Sequence, residues 1–373
     1  MINRRDWLKR AGLAALGAGL VRAPSRAQVE KPLSSSLYPE LKFINLAGNE
    51  NPFGPSPAVS MAVMREVRNS SRYPFREEQI LKDRLAEIEG VGSENILLGN
   101  GCDEILSMAG DLFGQPGSNI VATRPTYLQL MHYAESRGAS VKWVDHRFDM
   151  SHDLAKMEEA LDENTKLVYI CNPDTPTGTM LPAEEIASFC RRVSERCPVF
   201  LDEVYLDLLE DFREQTQVGL VGQGASVIVG RSFSKMHGLA GHRVGYAIAN
   251  ATTVEALGKR RMSSMNYLGV IAALASVGDA SFHAQSARLI AEGRDRFCDL
   301  LGELGLPYTP SFGNFVFHWT GIPVREFQAI MKARNFLVGR PFPPYDDWCR
   351  ISIGNREEMD GYAEAMRSVF NAG

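Results

Sequence analysis

The sequence predicts an α/β protein, in which a large domain with a doubly wound, mostly parallel sheet is followed by a smaller α+β domain. Short runs rich in β-branched and aromatic residues alternate with helix-like segments through the middle of the chain, and turn residues bound each run. From about residue 280 onward, a long helix-like segment is followed by separate strand-like pieces. The length of 373 residues is sufficient for two such domains.

The predicted strands of the large domain are almost continuously apolar, which is typical of strands that helices cover on both faces. These strands are residues 166–173, 198–205, 226–234 and 244–249. Residues 182–196 have Pro182 near the first turn and apolar residues at helical spacing, so we expect a helix there.

Polar side chains stand at or just past the carboxyl ends of these strands. They are Asn172, Asp202, Tyr205 and Lys235. Because parallel strands end at one edge of a sheet, we expect these four side chains to face one crevice.

The smaller domain is predicted from a helix at 283–304 and from strands at 314–319 and 348–354. We expect an N-terminal arm that belongs to this domain, a large domain, and a C-terminal part of the small domain. Their expected bounds are residues 28–60, 61–275 and 276–373.

Residues 1–27 have the three-part pattern of an export signal. A cationic segment that includes Arg4 and Arg5 is followed by 11 apolar residues and then by small residues before Gln28. Eleven helical residues span about 16 Å, half of a bilayer core, so we expect no stable membrane anchor. The arginine pair resembles a twin-arginine (Tat) signal, which predicts a periplasmic protein; a cytoplasmic protein is the alternative.

The charge gives no reason to expect nucleic acid or an anionic membrane as a partner, because the net charge is -5. Removal of residues 1–27, which carry six cations and one anion, would make the chain more acidic still. The six cysteines are scattered without a C-x-x-C pair, so we expect neither a metal site nor a disulfide framework.

The segment "SFSKMHGLAGHRVG" suggests a reactive lysine. Lys235 stands among serines, glycines and small apolar residues, and Arg243 follows eight positions later. A nearby cation lowers the pKa of a lysine, so we expect Arg243 to favour the neutral amine of Lys235. Earlier in the chain, "GNGCDE" (99–104) places glycines before a helix-like run, and the N-terminus of a helix offers backbone N–H groups to a phosphate.

These segments, together with "RPTY" (124–127), "CNPDTPTG" (171–178) and "WCRISIG" (348–354), resemble the class I/II aminotransferases that depend on pyridoxal 5′-phosphate (PLP). Within that family, of fold type I, the chain is similar to the histidinol-phosphate aminotransferase group. The resemblance runs from about residue 40 to the C-terminus, with the segments in the family's order. It implies PLP as cofactor and transfer of an amino group between an L-amino acid, or a similar amine, and a 2-oxo acid.

The resemblance also assigns roles to single residues. It implies that Lys235 bonds covalently to the cofactor and moves a proton, that Asp202 pairs with the ring nitrogen, and that Tyr205 hydrogen-bonds the ring O3′. Tyr73 is implied to reach the cofactor of a neighbouring subunit, which predicts a homodimer with shared sites. The other residues implied to bind the cofactor are Gly101, Cys102, Asp103, Tyr127, Thr175, Ser232, Ser234 and Arg243.

Two of these positions depart from the family's pattern. Thr175 stands where the family usually has an asparagine that donates to O3′, and its hydroxyl is shorter and can also accept. Cys102 stands where serine or alanine is more common. We therefore expect altered cofactor tuning at Thr175 within an unchanged fold.

On the substrate side, the resemblance implies that Arg350 grips an anionic group of the amino donor. Arg340 is a second candidate for an anion, and Asn51 lies in the segment that lines the substrate entrance. An exported enzyme has little reason to make histidinol phosphate. The export signal therefore suggests another donor, such as an amine on a secreted metabolite or a glutamyl group of a peptide siderophore.

Other functions stay open at this point. A PLP decarboxylase, lyase or synthase would have the same fold and the same lysine. A non-catalytic binding protein of this fold fits less well, because Lys235, Asp202 and Arg350 are all present. A dinucleotide-dependent dehydrogenase and a serine hydrolase are excluded, because the chain lacks G-x-G-x-x-G after a first strand and lacks G-x-S-x-G.

Overall fold

A seven-stranded sheet organises the chain in the computed structural model, which describes residues 43–370. The predicted signal at 1–27 lies outside the described residues. In the order β2-β8-β7-β6-β5-β3-β4, every strand except β8 points the same way. The strands are β2 Ile96–Gly99, β3 Asn119–Arg124, β4 Ser140–Asp145, β5 Thr165–Cys171, β6 Val199–Asp202, β7 Val227–Ser232 and β8 Gly245–Ala249.

Helices alternate with these strands along the chain, as the sequence predicts. Short 3-10 helices occupy Val67–Ser71, Ser93–Asn95, Leu206–Leu208 and Ala240–His242. The α-helices up to the end of the large sheet are α1 Pro57–Glu66, α2 Phe75–Glu89, α3 Cys102–Phe113, α4 Gln129–Ser136, α5 Leu154–Glu159, α6 Ala183–Val193, α7 Phe212–Gln215, α8 Gly219–Gly222, α9 Ala251–Gly258 and α10 Tyr267–Ser276.

The sheet is buried on both faces, which explains why its strands are apolar throughout. On β5, Val168 and Ile170 belong to one hydrophobic core, whereas Leu167, Tyr169 and Cys171 belong to another on the opposite face. Successive side chains of a strand point to opposite faces, so a strand covered on both sides needs apolar residues at every position.

A smaller arrangement of helices and short strands follows the large sheet. Here β1 Ile44–Asn45 pairs in parallel with β10 Phe336–Leu337, and β9 Phe315–Trp319 pairs antiparallel with β11 Trp348–Ser352. A third hydrophobic core packs around these strands. The helices of this part are α11 Ala280–Glu303, α12 Val324–Lys332 and α13 Arg356–Phe370.

Side chains cap several of these helices. The side chain of Asn266 accepts hydrogen bonds from the backbone N–H groups of Leu268 and Gly269 at the start of α10, and Asp279 accepts from Phe282 at the start of α11. Among residues 43–370, no single helix is long and apolar enough to cross a membrane. Taken together, helices α10 and α11 would be long and apolar enough, but the chain bends by 86° between them.

The predicted strand at 198–205 exceeds the observed strand more than the other predicted strands do. The apolar run 198–205 gives a strand only as far as Asp202, after which the chain turns into the 3-10 helix Leu206–Leu208. The N–H of Val204 lies 3.3 Å from the Asp202 carboxylate, and such a local bond competes with the strand ladder. This turn carries Tyr205 away from the sheet.

Because of the direction of the strands, the loops that carry the predicted site residues lie at one edge of the sheet. The carboxyl ends of β2, β3, β5, β6 and β7 lie at this edge, together with the amino end of the antiparallel strand β8. The residues that follow these carboxyl ends include Gly101, Tyr127, Thr175, Tyr205 and Lys235. The crevice expected from the sequence is therefore at this edge.

Candidate active site

A cavity of ≈ 200 Å³ lies at the carboxyl edge of the sheet and contains most of the residues predicted from the sequence. Five of its walls are the loops after β2, β3, β5, β6 and β7, and the segment around Gly48 and Glu50 provides another. The predicted residues that line it are Cys102, Asp103, Tyr127, Thr175, Asp202, Tyr205, Ser232, Ser234, Lys235 and Arg243.

Lys235 presents a half-buried amine that pairs with no carboxylate among residues 43–370. Its Nζ donates to the backbone oxygen of Asn49 at 3.0 Å and lies 5.5 Å from the centre of the Tyr205 ring. Burial lowers the pKa of Lys235 to about 8, and the charge of Arg350 acts in the same direction. We expected Arg243 to be the responsible cation, but Arg243 pairs with Asp103, 2.7 Å away.

Asp202 ends β6 as a buried carboxylate on the cavity wall. Its Oδ2 accepts a hydrogen bond from the hydroxyl of Tyr169 at 2.8 Å. Burial raises the pKa of Asp202 to about 6, although the bond from Tyr169 acts in the opposite direction. A protonated heterocyclic nitrogen in the cavity would therefore meet a carboxylate that lacks a cationic partner.

Tyr205 connects Asn49, Thr175 and Arg350 through hydrogen bonds. Its hydroxyl accepts from Asn49 Nδ2 at 3.0 Å, and Thr175 Oγ1 accepts from Arg350 Nη1 at 2.9 Å. Burial raises the pKa of Tyr205 to about 12, while Arg350 and the bonds from Asn49 and Thr175 act to lower it. Arg350 Nη1 can only donate, so Thr175 Oγ1 accepts this bond and keeps its own hydroxyl proton for donation.

The predicted phosphate-binding residues lie around the N-terminus of α3. Gly101 has a φ of 82°, and a Cβ at this position would collide with the guanidinium of Arg243, so the close approach requires glycine. Asp103 accepts from Arg243 Nη2 at 2.7 Å and from the hydroxyl of Tyr127 at 2.6 Å. Ser232 Oγ accepts from the N–H of Ser234 at 3.1 Å, which leaves its own proton for donation.

Arg350 and Arg340 lie beside the cavity and share one aromatic ring. The Cζ atoms of Arg340 and Arg350 are 4.2 Å and 5.2 Å from the centre of the Phe342 ring. Arg350 is bonded to Thr175 and, at 2.9 Å, to the backbone oxygen of Ala47, but its buried Nε has no partner among the described residues. Burial lowers the pKa of both guanidinium groups, and the charge of Arg340 lowers that of Arg350 further.

Five predicted residues do not line the cavity: Gly101, Arg340 and Arg350, which lie close to it, and Asn51 and Tyr73. Asn51 is buried and donates to the backbone oxygen of Met236 at 3.0 Å and to Ser286 Oγ at 2.8 Å, so its amide holds the arm in place. Tyr73 is 73% exposed and stacks on Phe75, with ring centres 5.6 Å apart.

Sequence reasoning missed Asn49 and Tyr169, which bond directly to Tyr205 and Asp202. The sequence alone does not show whether Asn49 or Asn51 faces the site, because both lie in the same short motif. The available signal for Tyr169 was its position on β5, whose neighbour in the sheet is β6. A tyrosine in an otherwise apolar strand needs a partner for its hydroxyl, and Asp202 is that partner.

The residues present fit PLP. A neutral amine is needed to react with the aldehyde of PLP, and burial gives Lys235 a lowered pKa. The N-terminus of α3, the hydroxyls of Ser232 and Ser234, and Arg243 are suitable partners for a phosphate dianion. The carboxylate of Asp202 suits a protonated ring nitrogen.

Comparison with known proteins identifies the family. A family model described as "Aminotransferase class I and II" matches residues 42–366. Histidinol-phosphate aminotransferase of Halalkalibacterium halodurans is 34% identical over 88% of this chain and 89% of its own length. The enzyme of that name from Moorella thermoacetica is 35% identical over 88% of this chain and 85% of its own length.

A solved structure agrees with these relatives. The histidinol-phosphate aminotransferase of Sinorhizobium meliloti, solved in complex with pyridoxal-5′-phosphate, is 29% identical and has a TM-score of 0.82. The match covers 88% of this chain and 90% of that chain. The fold class predicted from the sequence, PLP-dependent fold type I, and the cofactor PLP are confirmed.

The burial of Lys235 makes a prediction about pH. Because its pKa is lowered to about 8, the neutral amine forms at lower pH than in an exposed lysine, which titrates near ~10.4. We expect the bond between the apoprotein and PLP to form with a half-maximal rate near pH 8. Absorbance measures the rate, and borohydride reduction with peptide mapping assigns the adduct to Lys235.

Three variants control this measurement. Lys235→Ala should lose the long-wavelength absorbance, Arg350→Met should move the midpoint to higher pH, and Arg334→Met should leave it unchanged. A wild-type midpoint above pH 10 would contradict the effect of burial, and an unchanged spectrum in Lys235→Ala would refute the assignment of the lysine.

Proposed function

Because the chain belongs to the family of class I and II aminotransferases, we propose that its amino donor carries a second, anionic group, with histidinol phosphate as the first compound to test. The protein is a PLP-dependent transaminase, which moves an amino group from a donor to a 2-oxo acid. The observation that carries the proposal is the pair of guanidinium groups, Arg340 and Arg350, on the ring of Phe342.

The residues of the site divide the work of amino transfer. Bound PLP withdraws electrons from the donor and makes its α-proton labile. The Lys235 amine, with a pKa of about 8, takes and returns this proton near neutral pH. When PLP is bound, Asp202 would hold the proton on its ring nitrogen, and Tyr205, held by Asn49 and Thr175, would hydrogen-bond its O3′.

Two cations at one ring favour an anionic donor. Arg340 is exposed, but partial removal from water still lowers the pKa of its guanidinium, and its charge lowers the pKa of Arg350. An anion that contacts both guanidinium groups would stabilise both charges. The unpartnered Nε of Arg350 is a further donor for it. A phosphate or carboxylate matches the planar donor set of a guanidinium. The relatives named histidinol-phosphate aminotransferase support a phosphate as the group to test first.

This proposal predicts how donors are ranked. With 2-oxoglutarate as acceptor, kcat/KM for histidinol phosphate should exceed that for histidinol by about 100-fold, because charged hydrogen bonds contribute about 1.5–3 kcal/mol each. Arg340→Met should lower kcat/KM for histidinol phosphate by about 10-fold or more and leave that for histidinol within about 2-fold. Glutamate formation is the measurement, and it also separates amino transfer from decarboxylation or elimination.

Arg334→Met is the matched control, because Arg334 lies on the same C-terminal part and bonds to Ser368 instead. Equal kcat/KM for the two donors in the wild-type enzyme would contradict the proposed anionic site. Turnover of unphosphorylated amines alone would favour the second candidate function.

The second candidate is transamination of an exported amine, and the pattern of residues 1–27 favours it. A protein delivered to the periplasm meets secreted metabolites, such as a glutamyl-bearing siderophore peptide, and not the intermediates of histidine synthesis. Replacement of Arg4 and Arg5 by lysines should then retain the protein in the cytoplasm, because a twin-arginine signal requires both arginines. Cell fractionation and the N-terminal sequence of the mature chain test this. If the wild-type protein stays in the cytoplasm and retains residues 1–27, the reason for proposing an exported substrate is lost.

A homodimer with shared sites is the proposed assembly. Helices α1 and α2 and the turn between them expose a set of large apolar side chains, which a second copy of the chain would cover. These side chains are Met61, Met64, Val67, Tyr73, Phe75 and Ile80. Tyr73 is among the most exposed of them, and we expect its hydroxyl to reach the cavity of the partner subunit.

Mixed dimers test the sharing of sites. Lys235→Ala and Tyr73→Ala, each with low activity alone, should restore about a quarter of wild-type activity when their subunits are exchanged, because half of the dimers are hybrids with one complete site. Lys235→Ala mixed with Asp202→Asn should restore none, because both changes affect the subunit's own site. An active monomer in light scattering would exclude the dimer.

A further inference from the structure

A buried cluster of His146, His152 and Asp174 lies directly behind the cavity, and the mechanism above does not use it. The three side chains are at most 2% exposed. His146 Nε2 is 3.2 Å from one carboxylate oxygen of Asp174, and His152 Nε2 is 3.7 Å from the other. None of the three lines the cavity, but Asp174 immediately precedes Thr175, which does.

The cluster resembles a metal site in composition, since its potential ligand atoms all lie within 4.8 Å of one another. The hydrogen bonds of His152 argue against that interpretation. Its Nε2 is 2.7 Å from the backbone oxygen of Cys171, which can only accept, so this nitrogen carries a proton and has no lone pair for a metal. Its Nδ1, 2.9 Å from Thr123 Oγ1, is directed away from Asp174.

Asp174 is instead a buried acceptor that several donors surround. Its Oδ1 accepts from Thr126 Oγ1 at 3.2 Å, and its Oδ2 accepts from Thr177 Oγ1 at 2.8 Å and faces His146 Nε2. Burial acts to raise the pKa of Asp174, but His152, His146 and Thr177 outweigh it and hold the pKa below its ordinary value. The carboxylate is therefore ionised, and the hydroxyls of Thr126 and Thr177 donate to it, because a buried charge without partners is costly.

The partners of Asp174 lie in the loops that form the cavity. Thr126 is followed by Tyr127, and Asp174 itself is followed by Thr175, so one carboxylate connects two loops that line the cavity. His146 also faces the hydroxyl of Tyr345, 3.5 Å away, with the two rings stacked at an angle of 12°. Tyr345 follows Phe342, the ring on which Arg340 and Arg350 lie.

We propose that Asp174 is a positioning residue for amino transfer: its buried carboxylate fixes Thr175 and Tyr127 on the wall of the cofactor cavity, and through His146 it orients the loop that carries Arg340. Asp174 does not line the cavity, so it would act on cofactor and donor through these neighbours. The titratable groups that face it are His146, His152, Cys171 and Tyr345. The proposal concerns cofactor geometry and does not depend on which donor the enzyme uses.

The test compares Asp174→Asn with the wild-type protein, because asparagine keeps the shape and removes the charge. In the PLP-loaded variant, the pH at which the absorbance of the Lys235–cofactor bond changes should fall by about 0.5–1 unit, because a buried negative charge stabilises a nearby cation. The amount of glutamate formed per second and per bound cofactor should fall about 10-fold, because displaced groups lose alignment. The Kd for PLP should change by less than about 3-fold, since the phosphate partners are untouched.

Further variants separate positioning from simple loss of stability. Asp162→Asn is the matched control: Asp162 accepts from Asn119 at 2.8 Å and from Lys142 at 2.7 Å, at the opposite edge of the sheet. It should lower the Tm of the apoprotein without moving the spectral transition. His146→Ala should lower the pH of the spectral transition, as Asp174→Asn does. In His146→Gln, which retains a donor, the transition should lie close to its wild-type pH.

Two outcomes would overturn the proposal. In the first, Asp174→Asn lowers the Tm but leaves both the spectral transition and turnover per bound cofactor unchanged, so that the carboxylate has only a structural role. In the second, the wild-type apoprotein binds Zn²⁺ stoichiometrically and Asp174→Asn abolishes the binding, so that the cluster is a metal site after all.

Discussion

The site depends on the amine of Lys235, which is removed from most of its water and pairs with no carboxylate among the described residues. Its Nζ donates to one protein acceptor, the backbone oxygen of Asn49, and burial lowers the pKa of Lys235 to about 8. A carboxylate in direct contact would raise this pKa and keep the amine protonated. The acids of the site are bound elsewhere: Asp103 pairs with Arg243 and Tyr127, and Asp202 accepts from Tyr169. The arrangement of charges around Lys235 thus keeps the amine reactive.

The sheet brings these groups together through the loops that follow its strands, while the strands themselves stay paired. Six strands point one way, so their following loops converge, and the loops after five of them, β2, β3, β5, β6 and β7, each contribute side chains to one cavity. The strand β8, which runs in the opposite direction, begins at this edge and places Arg243 just before its first residue. The predicted phosphate-binding groups therefore come from both the start and the end of neighbouring strands.

Much of this could be predicted from the sequence, because the signals are local. Apolar runs gave the strands β5, β6, β7 and β8 to within a few residues, and the spacing around Lys235 gave the reactive lysine. What could not be predicted are contacts between residues distant in the chain. Arg350, 115 positions after Lys235, replaced Arg243 as the cation that lowers its pKa. The choice between Asn49 and Asn51 is decided by the packing of the arm against Ser286 and Tyr205, which no local pattern contains.

The position of Asn49 also determines which parts of the chain must be folded before the site is complete. Its backbone N–H donates to Ser352 Oγ at 2.8 Å, and its carbonyl also accepts from Asn314 Nδ2 at 3.0 Å. The neighbouring strand β1 pairs with β10 near residue 336. The carbonyl that accepts from Lys235 is therefore held by segments more than 75 positions further along the chain, as well as by the bond of the Asn49 side chain to Tyr205. A chain in which only the large sheet has folded would contain Lys235 without the packed segment that accepts its hydrogen bond, so the complete site depends on contacts between segments far apart in the sequence.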